Sequence, residues 1–123
     1  MGVSSFEDLT CWKEARELAN LVYSACQRAP LARDFGACDQ FRRASISVMN
    51  NIAEGFGRTS PKELHRFLDF AQSSALEVKS MTYILGDQMI LTSTDALAIR
   101  TKAETAKRRI RALMFAPRQS NET

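Results

Sequence analysis

The stretch NNIAEGFGRTSPKE, Asn50 to Glu63, decides how this chain folds, because it breaks an otherwise continuous helical pattern with two glycines and a Ser-Pro pair. Glycines followed by an arginine invite comparison with a phosphate-cradling loop. A dinucleotide loop, however, needs a preceding strand and a third glycine where Ser60 stands, and a Walker loop needs a Gly-Lys pair that this segment does not have. A helix stop followed by a helix start accounts for more of the residues. Gly57 is placed to take the left-handed conformation that closes one helix. Ser60, Pro61 and Glu63 then supply an N-cap, a proline in the first turn and a capping-box acid for the next.

Working outward, the segment before the break places Phe41, Ala44, Ser45, Val48 and Ile52 at three- and four-residue steps, which predicts a helix from about Ala37 to Phe56. Ile46, Met49 and Ala53 widen its apolar stripe, enough for more than one neighbour. After the break, Leu64, Phe67, Leu68, Ala71, Ala75, Val78, Met81 and Leu85 hold one face until Gly86. Near the N-terminus, SSFEDL offers a cap from Ser5 and Asp8, followed by a stripe of Leu9, Trp12, Ala15, Ala19, Val22 and Cys26 that stops before Pro30. Gly36 is the expected turn residue of the loop PLARDFG. A fourth helix is expected after TSTD, capped by Ser93 or Thr94, with Ala96, Ile99, Ala103, Ala106, Ile110 and Leu113 as a heptad-like seam ended by Pro117. Four helices joined by short loops predict an all-α fold, an antiparallel up-and-down four-helix bundle. It forms a single domain over residues 1–116, with residues 117–123 as a frayed tail.

Composition agrees with one globular domain. The 123 residues are 45% hydrophobic and 25% charged, ordinary proportions for a packed core. No apolar run reaches the roughly 20 residues of a membrane span, and the first residues do not follow a signal-peptide pattern, so the expectation is a cytoplasmic protein with no membrane partner. Cys11, Cys26 and Cys38 match neither a disulfide framework nor a Cys-x-x-Cys motif, and read as small buried hydrophobes. The single histidine, His65, is expected to face solvent. Glu63 and His65 are not spaced as the Glu-x-x-His pair of a di-metal helix protein, so neither a metal nor any other cofactor is expected.

Charge is unevenly distributed. Residues 1–95 hold ten Lys and Arg against twelve Asp and Glu, a net of −2, whereas residues 96–123 hold seven against two, a net of +5. Within the last helix Arg100, Lys107 and Arg111 fall on one stripe with Arg108 beside it, while Lys102 and Arg109 lie on the other flank. Such a stripe can neutralise phosphates without reading bases, or it can be a solvated face whose cations suit the helix C-terminus. At the break, three- and four-residue steps bring Asn51, Glu54 and Arg58 toward one side of the helix end, as a polar network that fixes helix ends and register. Arg42, Arg43 and Arg58 offer an oligomer contact or anion site as the alternative. The network predicts that Glu54→Ala does more harm than removal of an exposed acid such as Glu14. No nucleophile stands with a general base, so no enzyme is expected.

The run QFRRASISVMNNIAEGFGRTSPKELHRFLDFAQSSALEV, Gln40 to Val78, resembles the 23S ribosomal RNA intervening sequence proteins, through Gln40, Arg42, Arg43, Asn51, Glu54, Gly55, Gly57, Arg58, Ser60 and Glu63 among others. The likeness extends upstream through Leu9, Trp12, Leu18, Tyr23 and Pro30. The chain departs from the pattern at Ser73, Arg33 and Ala37, and its last helix matches only in kind. The resemblance implies a four-helix bundle assembled as a ring of five. It implies no settled biochemistry: some members are encoded inside insertions of ribosomal RNA genes, and a similar bundle is the accessory protein of diversity-generating retroelements. Two functions follow as expectations. One is a non-catalytic oligomer that associates with RNA or DNA through Arg100, Lys107, Arg108 and Arg111. The other is a scaffold for an unidentified protein partner that binds no nucleic acid.

Overall fold

The computed structural model describes residues 4–116 of the chain, so the expected tail at 117–123 lies outside the described residues. Among the described residues four α-helices form and no strand: α1 (Thr10–Cys26), α2 (Phe35–Phe56), α3 (Pro61–Asp87) and α4 (Ser93–Met114), with 3-10 turns at Phe6–Asp8 and Leu31–Arg33. No helix among them is long and apolar enough to cross a membrane. The helices pack as α1 on α2, α2 on α3, α3 on α4 and α4 back on α1. Along the α2–α3 contact, Gly55 lies against Phe67, Ser47 meets Ser74 and Gln40 reaches Glu77. The α3–α4 contact runs from His65 beside Phe115, through Gln72 with Arg111 and Lys79 with Glu104, to Arg100 over Tyr83.

One core joins the four stripes. Leu18, Val22, Phe41, Val48, Ile52, Leu68, Val78, Ile99 and Ile110 are fully buried, and Ala15, Ala71, Ala75, Ala103 and Ala106 between them let the helices approach closely. The stripe of α1 is turned from the expected one: Leu18 is fully buried, while Trp12 is half-buried, edge-on to Phe6 at 5.1 Å. Thr82 is fully buried with its hydroxyl satisfied, donating to the Lys79 carbonyl at 2.6 Å and accepting from Arg100 at 3.2 Å.

The helix ends show where glycine misleads. Ser60 caps α3 by accepting from the Glu63 amide at 3.3 Å, with Pro61 in the first turn, as expected. Gly57, in contrast, closes α2 at φ −77°, within the right-handed region, with its amide on the Ala53 and Glu54 carbonyls. Gly36 lies inside the first turn of α2, because Asp34 caps that helix by accepting from the Ala37 amide at 3.0 Å. Thr92, rather than Ser93 or Thr94, caps α4 through the Asp95 amide at 3.1 Å. Ser5 bonds Asp8 side chain to side chain and precedes the 3-10 turn, leaving α1 to begin after Leu9.

Gly86 does not stop α3 either. The chain leaves that helix at Met89, whose φ of +60° is left-handed. Its amide donates to Gly86 and that of Ile90 to Leu85, the paired bonds of a Schellman motif with methionine at the position glycine usually takes. Ile90 packs on the core beside it, so an apolar contact holds the conformation in place of glycine's freedom.

Candidate nucleic-acid interface

The basic stripe of α4 lies along its seam with α3. The Arg100 guanidinium sits 4.0 Å over the ring of Tyr83 and donates from Nε to the Thr82 hydroxyl at 3.2 Å. One turn on, Glu104 interrupts the stripe: its carboxylate takes Lys79 at 2.7 Å and Lys107 at 3.3 Å. The Lys79 hydrogen bond, with help from Lys107, holds the Glu104 carboxyl below the usual carboxylate range against the opposing effect of burial. Arg111 donates from Nη1 to Gln72 Oε1 at 2.8 Å and lies over Phe115. Arg108 is exposed, its nearest partner the Thr105 hydroxyl at 3.5 Å.

The other flank divides differently. Lys102 reaches across to α1, bonding Glu14 at 2.8 Å and Glu17 at 2.7 Å, and these two acceptors raise its pKa above the ordinary lysine value. It is a clamp between helices. Arg109 points outward. Among the described residues, Arg100, Arg108, Arg109 and Arg111 have no carboxylate within 4.0 Å, whereas Lys102 and Lys107 do. Helical spacing places Arg100, Lys107 and Arg111 on one side of α4 but does not reveal that α3 faces them.

At the α2–α3 turn the expected cluster separates into two. Asn51 donates to the Ser47 carbonyl and hydroxyl at 2.9 and 3.0 Å, and Ser47 bonds Ser74 on α3 at 2.8 Å. Asn51 therefore belongs to a chain of hydrogen bonds between helices. Glu54 and Arg58 form only a loose pair at 4.0 Å with both side chains about half exposed. Glu54 is therefore not the centre of the polar network that the spacing predicts. Arg58 instead lies 4.8 Å over Phe67, and Arg66, paired with Glu63 at 3.3 Å, covers Phe67 and Phe70. Arg42 stacks on Tyr23 and Arg43 pairs with Asp39 at 2.9 Å. Some fourteen residues of helix put roughly 20 Å between that pair and Arg58, so one protomer does not bring the three arginines together.

Sequence reasoning passed over Lys62 and Arg66, which stand one turn apart on α3 at the end where α4 finishes. That end also carries a cavity of about 770 Å³ between the α2–α3 turn, the first turns of α3 and the last turn of α4. His65 is exposed, as expected, with its ring edge-on to Phe115 at 5.7 Å. The three thiols are buried: burial pushes Cys11 up to about 11, and burial together with neighbouring Cys38 pushes Cys26 up to about 12. Cys11 and Cys26 are poor nucleophiles.

No curated protein matches the chain. The family model for the 23S rRNA-intervening sequence protein matches residues 7–112, taking in all four helices to within two residues of the end of α4. With that match spanning most of its length, the chain belongs to the 23S rRNA-intervening sequence protein family.

Proposed function

We propose that the chain is an antiparallel up-and-down four-helix bundle that assembles as a homopentameric ring in the cytoplasm and acts without catalysis, holding RNA or DNA by its phosphates through α4. The observation that carries this reading is the set of cations on α4 with no carboxylate partner among the described residues, Arg100, Arg108, Arg109 and Arg111, on the segment whose net charge is +5 while residues 1–95 carry −2. Lys107 adds to them as a cation shared with Glu104. A ring multiplies the stripe by its number of subunits, which turns a weak contact into appreciable avidity. The alternation of helix contacts around a single core supports the bundle, and the family supports the association with ribosomal RNA genes by its name alone.

Fluorescence anisotropy with a labelled single-stranded RNA, repeated across a salt series, tests the reading. Four contacted phosphates on a single strand give a slope of log affinity against log salt of about −3. Replacing Arg100, Lys107, Arg108 and Arg111 by Gln flattens that slope and leaves the helix intact, because Gln keeps good helix propensity. Absence of binding at low salt, or unchanged binding by the quadruple variant, overturns it. Light scattering after gel filtration tests the ring, and a monodisperse monomer at micromolar concentration refutes it. A second reading, a scaffold for a protein partner, is favoured by exposed apolar side chains along α3 and α4, among them Leu76, Tyr83, Ile84 and Leu97. Such an interface keeps its affinity as salt rises.

A further inference from the structure

The cavity at the end of the molecule has a chemistry that the basic stripe of α4 does not explain. Its floor is apolar, made by Leu64 and Leu68 of α3 with Leu113 and Met114 of α4. Its rim is cationic, with Arg58 from the α2–α3 turn and Lys62 from the first turn of α3, and His65 lies beside them. Among the described residues none of those lining it is acidic. Lys62 has no carboxylate within 4.0 Å among the described residues, and Arg58 has only the loose contact with Glu54 at 4.0 Å. Lys62 and the loosely paired Arg58 can thus meet an anion at the mouth, and the positive end of the long α3 dipole lies at the same place. A cavity of about 770 Å³ lies within the range of pockets that enclose a small organic ligand.

A recess with an apolar floor and a doubly cationic mouth fits a group that is apolar or aromatic at one end and strongly anionic at the other. We infer that it takes a nucleotide bearing a phosphomonoester, with the phosphate on Arg58 and Lys62 and the base against Leu64, Leu68, Leu113 and Met114. The inference rests on the nucleic-acid reading above and narrows it to the terminal nucleotide of a strand. A terminal monoester carries more charge than the diesters inside the strand, and its oxygens accept charge-assisted hydrogen bonds from both cations. The guanidinium of Arg58 lies 4.8 Å over the ring of Phe67, a contact that favours its place at the mouth. Arg111, one turn before the end of α4, is positioned to lead the rest of the strand from this mouth onto the basic stripe.

The test compares one single-stranded RNA of twelve nucleotides in three forms, with a 5′-phosphate, a 3′-phosphate or hydroxyls at both ends, together with free adenosine monophosphate as a competitor. One phosphorylated form is expected to bind about tenfold more tightly than the hydroxyl form, the gain of one good charge-assisted contact. The double variant Arg58→Gln, Lys62→Gln is expected to abolish that preference while keeping the affinity for the hydroxyl form. Both side chains are exposed, so the variant should keep the wild-type circular dichroism and melting temperature. Equal affinity for all three forms overturns the inference while leaving the α4 reading standing. Binding of adenosine monophosphate lost in the double variant, with no strand bound by either protein, supports the pocket with a free nucleotide as its ligand and overturns the α4 reading. No binding of any of these probes overturns both.

Discussion

Substituting Gly55 by alanine tests the α2–α3 contact most directly. Taken alone, the change favours the helix, since glycine in a helix interior is about 1 kcal/mol less favourable than alanine. The surroundings reverse the sign. A Cβ on residue 55 comes 2.8 Å from Cβ of Phe67 and 3.3 Å from Cδ1 of Leu64. The Phe67 atom is tied to the α3 backbone, so a rotamer change cannot move it away and the two helices must separate. Overpacking of this kind costs roughly 1–3 kcal/mol, and a contact this short belongs at the upper end. After subtracting the propensity gain, Gly55→Ala is expected to destabilise by about 2 kcal/mol, or roughly 8 °C in Tm for a chain of this size. Gly86→Ala is the internal control: Gly86 is also helical and nothing stands within 4 Å of its added Cβ, so only the propensity gain remains, and stability rises by about 0.5–1 kcal/mol. Thermal and urea denaturation at matched protein concentration compare the two, since assembly makes Tm depend on concentration. If Gly55→Ala proves as stable as the parent, the helices do not touch at that residue and the α2–α3 packing described here is wrong.

Other outcomes follow from the same geometry. Met89→Gly should stabilise by up to about 1 kcal/mol in urea melts, because glycine accepts the left-handed conformation at little cost. Glu14→Ala should lower stability more than Glu54→Ala, the reverse of the order expected from sequence. Glu14 holds Lys102 in a half-buried seam, whereas the Glu54 pair is exposed and its loss should stay within about 0.5 kcal/mol in the same assay. Asn51→Ala, which strips two hydrogen bonds from the Ser47–Ser74 link, should cost about 1–2 kcal/mol. Stability should decline as pH rises above 9, the ordinary thiol value. Cys11 and Cys26 have raised folded pKa values, so their contribution is complete below the unfolded pKa and is lost as pH climbs toward 11 and 12; Lys102, raised from 10.5, adds to the loss at the upper end. Replacing both cysteines by alanine should flatten the alkaline limb of a pH series of urea melts.

Much of this was legible in the sequence, and the failures have a common physical origin. The existence of four helices could be read because three- and four-residue apolar spacing is a property of each segment by itself. Ser60, Pro61 and Glu63 could be read because capping is equally local. Gly36 reads as a loop turn and Gly57 and Gly86 as helix stops, yet all three remain in right-handed conformations. Glycine's aversion to helix is about 1 kcal/mol, small enough to yield to the Asp34 cap upstream of Gly36 and to the apolar contact beyond Gly86. The value of Gly55 lies in the neighbouring helix, which no local pattern reveals. The same holds for the basic stripe: spacing places Arg100, Lys107 and Arg111 on one side of α4, but whether that side meets solvent or Tyr83, Glu104 and Gln72 depends on where α3 lies.

The clamp of Lys102 on Glu14 and Glu17 joins residues 88 and 85 positions apart, more than two thirds of the chain. Such a contact has a history as well as an energy. Helices α2 and α3 are linked by a handful of residues and can meet as soon as both exist, whereas α1 must wait for the last segment to be synthesised before its second flank is covered. Until then the stripes of α1 and α3 that α4 will occupy stay open to other chains, the condition under which nascent proteins aggregate. A ribosome that pauses before residue 96 therefore holds an unfinished protein with its stickiest surfaces exposed, and docking of α4 is the step that ends that hazard.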